Sequence, residues 1–412
     1  MAADTGPTSQ TLTGDFTGQF TAQEPVPEDA IAAVVEVLRS GNLHRYAAPG
    51  DGPSQAARLE RTFRDWQGSR YCLAVTSGGQ ALQIALRAAG VGPGDKVLMN
   101  AFTLAPVPGA IQAVGADHVL VEITPDLTVD FDDLAAKAVA TGAKALMLSH
   151  MRGHLCDMDR LMAIAQSFGL TVIEDCAHTM GARWNATRSG NFGHAACFSA
   201  QSFKHINAGE GGLITANDPD FMARATVLSG SYMFYGDHGA GPDPAVFADI
   251  RLDTPNLSAR LDEVRAAILY PQIAGIDDRV ARWNGLHRAL EAVLGTLPGI
   301  AMPARDPREQ MAASSLQFRL PGFSAAACSA LVDRARRRGV VVKWFGANQP
   351  AGYTSAHPSW RYVPAQSLPA TEAILSTLFD IRLSLTFSHT DCGLIGRIIG
   401  EEIAGLAADA AA

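Results

Sequence analysis

Along the first two thirds of the chain, short apolar runs alternate with stretches whose apolar residues recur every three or four positions. "YCLAVTS" (71–77) is apolar and rich in β-formers, and "GGQALQIALRAAG" after it has helical spacing. "KVLMN" predicts a strand and "PVPGAIQAVGA" a helix; "HVLVEI", "KALMLSH" and "LTVIEDCA" predict three further strands. Between the last two, "DMDRLMAIAQSFG" is an amphipathic helix closed by glycine. Strands without polar alternation are buried on both faces. The pattern therefore predicts an α/β fold, a mostly parallel sheet between two helical layers.

A long helix is predicted near 259–293, and beyond it the style changes. "SSLQFRL", "GVVVKWFG" and "DIRLSL" predict strands, separated by helices and by a loop rich in Pro and Ser (349–368). This predicts a smaller C-terminal α+β domain over 285–412, a large domain over 41–284, and an N-terminal arm with a first helix over 1–40. The polar start, "MAADTGPTSQTLTGDFTGQF", lacks the apolar core of a signal peptide and reads as a mobile arm.

Composition narrows the picture. The 412 residues are 47% hydrophobic and 18% charged, as suits a globular enzyme with a large core, and the net charge of −8 argues against nucleic-acid or anionic-membrane partners. No apolar run approaches the roughly 20 residues of a membrane span. Six cysteines (72, 156, 176, 197, 328 and 392) show neither metal spacing nor a disulfide framework, which predicts reduced thiols in the cytoplasm.

Of five lysines, only Lys204 follows a core-like strand, "AACFSAQSF", and precedes a glycine turn, "GEGG" (209–212). Burial lowers a lysine's pKa and makes its amine a nucleophile toward an aldehyde. "VIEDCAH" ends an apolar strand with Glu174 and Asp175, where open α/β sheets bind ligands. "TSGGQAL" enters a helix through two glycines, and bare N–H groups at a helix start suit a phosphate. Each signal alone has an ordinary structural reading: a surface lysine, a helix cap, a tight turn. Phosphate cradle, acid and lysine in that order on a parallel sheet point to pyridoxal phosphate (PLP).

The chain also resembles the DegT/DnrJ/EryC1/StrS aminotransferases, fold type I PLP enzymes that aminate keto-sugars and keto-cyclitols. The resemblance runs from about Gly41 to Ile403, carried by "TSGGQAL", "GVGPGDKVLMNAFT", "GHLCDMDRLMAIAQSFGLTVIEDCAHTMGARW", "SGNFGHAACFS" and the lysine with its "GEGG". It implies that Lys204 is the Schiff-base lysine and that Asp175 pairs with the pyridine nitrogen. Ala177 would pack on a ring face, His178 would approach the ring hydroxyl, and Ser77, Gly78, Gly79 and Ser199 would hold the phosphate. Gln201, "GEGG" and "RSGNLHRY" (39–46) are similar to the aminocyclitol and aminohydroxybenzoate branch. The resemblance further implies a C2 homodimer whose subunits share active sites, with Asn256 to Arg260 lent to the neighbour and "YMFYGDHG" (232–239) beside them.

Several positions depart from the family pattern. Gly79 replaces a usual Thr, and Leu104 replaces an aromatic that stacks on the cofactor ring. The family's Asn-x-Arg-Met-x-Glu reads Ser258-Ala259-Arg260-Leu261-Asp262-Glu263, with Asn256 two residues before it as a substitute. "SLP" reads "SLT" (384–386), and "SHMRGH" (149–154) places Arg152 where the family has "VHLYG". Arg152, His150, Tyr46 and Arg260 are the substrate-side candidates; for Arg152 a carboxylate clamp and a salt bridge stand equal. His150, His154 and Cys156 fit no zinc spacing, so no metal is expected. "RARRR" (334–338) reads as a helix end, and Lys343 with Trp344 as domain packing. The expected activity is amino transfer from an amino-acid donor to a keto acceptor. Decarboxylation, elimination or racemisation of an amino-acid-like substrate, and a PLP-bound regulator, remain the alternatives.

Overall fold

The computed structural model describes residues 14–46, 52–347, 349 and 356–411. The first thirteen residues of the expected arm and residues 350–355 of the Pro/Ser loop lie outside them. The apolar runs become strands β1 (Tyr71–Val75), β2 (Lys96–Asn100), β3 (Asp117–Val121), β4 (Ala145–Ser149) and β5 (Thr171–Asp175). A hairpin of β6 (Arg183–Trp184) and β7 (Thr187–Arg188) follows, then β8 (Ala195–Ser199) and β9 (Gly212–Ala216). The seven longer strands form one sheet in the order β1-β9-β8-β5-β4-β2-β3. Only β9 runs against the others, pairing antiparallel with β1 and β8.

Alternate residues of each strand enter the two apolar layers. On β1, Leu73 and Val75 join the layer containing Val97, Met99 and Ile173, while Cys72 and Ala74 join that containing Leu98, Leu146 and Phe198. This is the three-layer α/β/α arrangement predicted from uninterrupted apolar strands. The helix Gly78–Ala88 follows β1 and is capped by Ser77 Oγ, which accepts from the Gln80 amide at 3.1 Å.

The expected long helix near 259–293 is instead two helices, Glu263–Leu269 and Ile276–Leu294, joined by a 3-10 turn. Pro271 enforces the break, because it lacks the N–H that a continuous helix needs. After β10 (Glu309–Gln310), strands β11 (Ser315–Arg319), β12 (Lys343–Trp344) and β13 (Leu378–Arg382) form a second sheet in the order β11-β13-β12. Of the strand expected over 339–346, only Lys343–Trp344 pairs. Residue 285, the expected domain start, lies inside the helix Ile276–Leu294, whose Trp283 already belongs to the C-terminal core.

The N-terminal segment from residue 14 onward is tied down rather than loose. Phe16 and Phe20 are buried in the C-terminal core, 5.4 Å apart, and meet Phe387 edge-on with ring centroids at 5.2 and 5.1 Å. The Phe16 amide donates to the Arg338 carbonyl at 2.9 Å. Two large aromatics outweigh the polar residues between them, because each buries far more apolar area than its neighbours can solvate.

Gly212 opens β9 between Val75 and Ser199. A methyl group there would collide with the Ser77 carbonyl and the Gly78 nitrogen. Gly79 has room: the nearest atom to an added methyl would be 3.9 Å away. Gly212→Ala is therefore expected to lower unfolding stability by about 3 kcal/mol, and Gly79→Ala to change it by less than about 1 kcal/mol, both measured by urea denaturation of the cofactor-free protein.

Candidate active site

The carboxyl ends of the parallel strands converge on one cavity of about 420 Å³. Asp175 closes β5, Ser149 closes β4, Ser199 closes β8, and the helix start at Gly78 follows β1. Asn100, at the end of β2, pins the neighbouring strand: its carboxamide accepts from the Ser149 amide at 2.9 Å and donates to the Ser149 carbonyl at 3.0 Å. The Ser149 hydroxyl donates to Asp175 Oδ2 at 3.3 Å, and the Ala177 amide donates to Asp175 Oδ1 at 3.1 Å. Burial still raises the Asp175 pKa above the usual carboxylate value, against the pull of these donors, Lys204 and His150.

Lys204 stands at the end of a tight turn, its amide donating to the Gln201 carbonyl at 2.9 Å. The glycine loop folds back beneath this turn: Ala200 N–H donates to Gly211 O at 2.8 Å and Ser202 N–H to Gly209 O at 3.2 Å. Gly209 has φ 80°, which a side chain rarely adopts. The Lys204 amine is pushed down to about 7 by burial, with Arg152 and Arg382 adding to the shift and Asp175 resisting it. Lysine and aspartate thus face one cavity, each biased by dehydration toward its neutral form.

Ser77, Gly78, Gly79, Leu104, Ala177, His178, Ser199 and Gln201 line the same cavity. Ser77 Oγ is engaged as the helix cap, but the first two amides of that helix, Gly78 and Gly79, begin it without an intrahelical acceptor. Gly78 lies so close to Ser199 that an added methyl would sit 2.8 Å from its Cβ. His178 Nδ1 accepts from the Arg152 amide at 3.3 Å, which assigns its proton to Nε2. Burial first, then Lys204 and Arg152, hold His178 neutral by lowering its pKa well below the usual value.

A second cavity of about 110 Å³ shares Leu104, His178, Gln201 and Lys204 with the first. Its far walls are Arg152, Arg279, Arg382 and the segment Ala22 to Pro27. Sequence reasoning singled out Arg152 but missed Arg382 and its strand neighbour Asp380. The signal was present in the alternation of "DIRLSL", where Asp380, Arg382 and Ser384 share one face.

Other candidates lie elsewhere. His150 does not line either cavity; its Nε2 meets Glu174 Oε2 at 3.1 Å in the interior. Glu174 also accepts the amides of Gly190, Phe192 and Gly193 at 2.7 to 2.9 Å. That network, rather than substrate contact, occupies both side chains. Tyr46 joins a buried group: its hydroxyl lies 3.2 Å from His238 Nε2, while Arg45 donates to His238 Nδ1 at 3.0 Å, beside the Arg45–Glu60 ion pair of 2.9 Å. Arg260 donates to the Gly230 carbonyl at 2.9 Å and lies 4.6 Å over the Tyr232 ring. Asn256 Oδ1 accepts from the Ser258 amide at 2.8 Å. Tyr46, Asn256, Ser258 and Arg260 line neither cavity.

Comparison with known proteins identifies the family. The profile of the DegT/DnrJ/EryC1/StrS aminotransferase family matches residues 26–396. A 3-amino-5-hydroxybenzoate synthase of Amycolatopsis mediterranei is 33% identical over 309 residues, 73% of this chain and 74% of that protein. A dTDP-3-amino-3,4,6-trideoxy-alpha-D-glucose transaminase of Streptomyces venezuelae is 33% identical over 293 residues, 69% of this chain and 70% of that protein. The crystal structure of a 3-amino-5-hydroxybenzoic acid synthase superposes with TM-score 0.79 at 27% identity, covering 95% of this chain and 99% of that one. Profile, relatives and fold converge, and the chain belongs to the DegT/DnrJ/EryC1/StrS aminotransferase family and is an aminotransferase.

Proposed function

We propose that the larger cavity holds PLP and that the chain moves an amino group from an amino-acid donor to a keto acceptor of the sugar, cyclitol or related ring class. One observation carries the reading: a lysine pushed down to about 7 and a buried aspartate face the same cavity, beside a helix start with free amides. The residues fit the group. The Gly78 and Gly79 amides with Ser199 suit a phosphate, and the Asp175 carboxylate, short of a cation, suits a protonated pyridine nitrogen. Leu104 and Ala177 supply apolar cover for a ring. Leu104 buries a ring face without aromatic stacking.

Bound there, PLP supplies an electron-withdrawing ring that accepts the electron pair left when a Cα proton is removed. The chain supplies the rest. Lys204, whose amine is pushed down to about 7, would take up the Cα proton in its neutral form and return it two bonds away, beyond the nitrogen. Asp175 keeps the proton on the ring nitrogen. His178, neutral and oriented by the Arg152 amide, offers its Nε2 proton as a donor. Across the two half-reactions the donor leaves as a keto acid and the acceptor carbonyl becomes an amine, so no external oxidant or reductant is needed.

We also infer that the working unit is a homodimer sharing its sites. Tyr232, Met233 and Phe234 are 50 to 62% exposed, an apolar cluster too large for an ordinary surface turn. Tyr232, Met233 and Ser258 hold positive φ, a strained set beside Arg260. A neighbouring subunit would cover this cluster and receive Asn256, Ser258 and Arg260 at its cavity.

Lys204→Ala is expected to fold and to lose turnover by a factor of about 10³ or more, with borohydride reduction of wild type placing the pyridoxyl label on Lys204. Asp175→Asn should retain the lysine-bound chromophore and lose most activity, because an amide cannot hold the ring proton. In the cofactor-free protein, pH-dependent labelling by an amine-directed reagent should reach half its maximum at Lys204 near pH 7. The lowered pKa means the reactive neutral amine is present above that pH and lost below it, and a midpoint above pH 9 would contradict the site. Analytical ultracentrifugation should find a dimer for wild type and a monomer for Met233→Asp.

A further inference from the structure

Where β4 ends, the chain turns sharply over Met151–Gly153. Two successive residues of that turn hold positive φ, Arg152 at 57° and Gly153 at 82°. Glycine takes this conformation freely, but the Cβ of an arginine crowds its own backbone there. The turn lies hard against His178: a methyl added at Gly153 would sit 3.3 Å from the His178 carbonyl oxygen and 3.1 Å from that of Ala312. Most amides of the turn are used nearby. His150 N–H donates to the Asp175 carbonyl at 3.2 Å, Gly153 N–H to the His150 carbonyl at 3.1 Å and His154 N–H to the Met151 carbonyl at 3.3 Å. The Arg152 amide instead donates outward, to His178 Nδ1 at 3.3 Å. A buried amide without an acceptor is costly, so the ring and the turn fix each other.

The side chain of Arg152 runs the other way, to the C-terminal sheet. Its Nη2 lies 2.9 Å from Asp380 Oδ2, on β13, and both residues are buried. Gln317 Nε2 donates to Asp380 Oδ1 at 2.7 Å, and Gln317 Oε1 meets His154 Nε2 at 2.7 Å, so the carboxylate is itself held in place. The backbone of the turn is braced from the same side. Arg305 Nη1 donates to the Gly153 carbonyl at 2.7 Å, and Leu155 N–H donates to Glu309 Oε1 at 3.2 Å. Separating a buried ion pair leaves two uncompensated charges, so the guanidinium end of Arg152 is firmly moored. At the other end, burial first and then Lys204 and Arg152 keep His178 neutral. A neutral imidazole carries one N–H, and since Nδ1 accepts, Nε2 carries it. His178 lines both cavities.

We propose that Arg152 and Asp380 are positioning residues: their ion pair holds Arg152 at positive φ, and the amide so presented fixes His178 as the Nε2–H tautomer, a hydrogen-bond donor facing the cofactor cavity. The proposal rests on the PLP reading for what that donor meets, whereas the tautomer is a property of the chain alone. A ring able to exchange its proton between the two nitrogens would present a lone pair to the cofactor part of the time, and would repel an oxygen it should bind. Glycine at position 152 would form the turn unaided. Arginine forms it with an anchor, and the anchor stands on β13. Packing of the C-terminal sheet against the turn therefore completes a group of the cofactor cavity that the C-terminal sheet does not itself supply.

Two double variants separate this role from that of a pair which only fastens the sheets together: Arg152→Ala with Asp380→Asn, and Arg152→Gly with Asp380→Asn. Both lack the ion pair and neither buries a lone carboxylate. They differ in whether residue 152 takes positive φ without strain. In the cofactor-free protein, nitrogen-15 NMR of labelled histidine, with the His178 signals assigned by their loss in His178→Asn, should show wild type as the Nε2–H tautomer with Nδ1 hydrogen-bonded. The glycine double variant should keep that spectrum. In the alanine double variant the share of the Nδ1–H ring should rise about fivefold or more. With PLP bound, kcat of the alanine double variant should lie about tenfold below that of the glycine one, with the donor KM of the two within about twofold. A wild-type His178 protonated on Nδ1, or identical His178 spectra in the two double variants, overturns the proposal. Circular dichroism checks folding. Should a double variant not fold, Asp380→Ala, which leaves Arg152 without its anchor, is read in the same way: a rise in the Nδ1–H share supports the proposal and an unchanged spectrum overturns it. An enzyme whose absorbance responds to no amino donor fails the aminotransferase reading itself, and the spectra of the cofactor-free protein still decide what fixes His178.

Discussion

The structure depends on holding an amine and a carboxylate at the dry end of a parallel sheet without letting them neutralise each other or reach bulk water. Dehydration lowers the Lys204 pKa to about 7 and raises that of Asp175. That requirement explains much of the surrounding backbone. β5 must end at Asp175 while Lys204 follows β8 through a tight turn, and the glycine loop must run close beneath it. The carboxamide of Asn100 ties the ends of β2 and β4 together so that Ser149 meets Asp175 at a fixed point. Each of these ties is a hydrogen bond of ordinary strength, worth about 1 kcal/mol. Together they restrict the position of one carboxylate.

The C-terminal sheet lines the second cavity by a different device. It sends apolar side chains into its own core and turns Gln317, Asp380 and Arg382 toward the large domain. Arg152 reaches across to meet them. The boundary between the units is therefore polar and charged on purpose-built positions, while the cavity on the other side of Lys204 is largely apolar in its lining, with Leu104, Pro106 and Val107. An apolar wall suits a planar ring, and a cationic wall suits an anion.

Much of this was legible in the sequence because it follows local rules. Continuous apolar runs identified the buried strands, glycines marked the turns, and the order of helix start, acid and lysine singled out residues that line one cavity. What was not legible depended on contacts between distant segments. His150 reads as a site residue because it neighbours Arg152, yet its ring turns to Glu174, which is itself claimed by three amides from residues 190–193. The break at Pro271 was readable in principle and was overridden by the helical pattern on either side. Phe16 and Phe20 sit in a polar stretch that reads as a loose arm, and only their distant partner Phe387 reveals their role. Tyr46, Asn256, Ser258 and Arg260 were chosen through resemblance, and they line neither cavity.

The anchoring of Phe16 and Phe20 has a mechanical meaning. The segment that walls the small cavity, Ala22 to Pro27, leaves that anchor directly: the Ala22 carbonyl accepts from the Ser384 hydroxyl at 2.9 Å, and the segment then runs into the helix Glu28–Ser40, which packs on the helix Glu263–Leu269. The wall is thus strung like a strap between two moorings, one in the C-terminal core and one on the helix Glu263–Leu269, so a tilt of either would be felt as a change in the width of the slot that the strap borders.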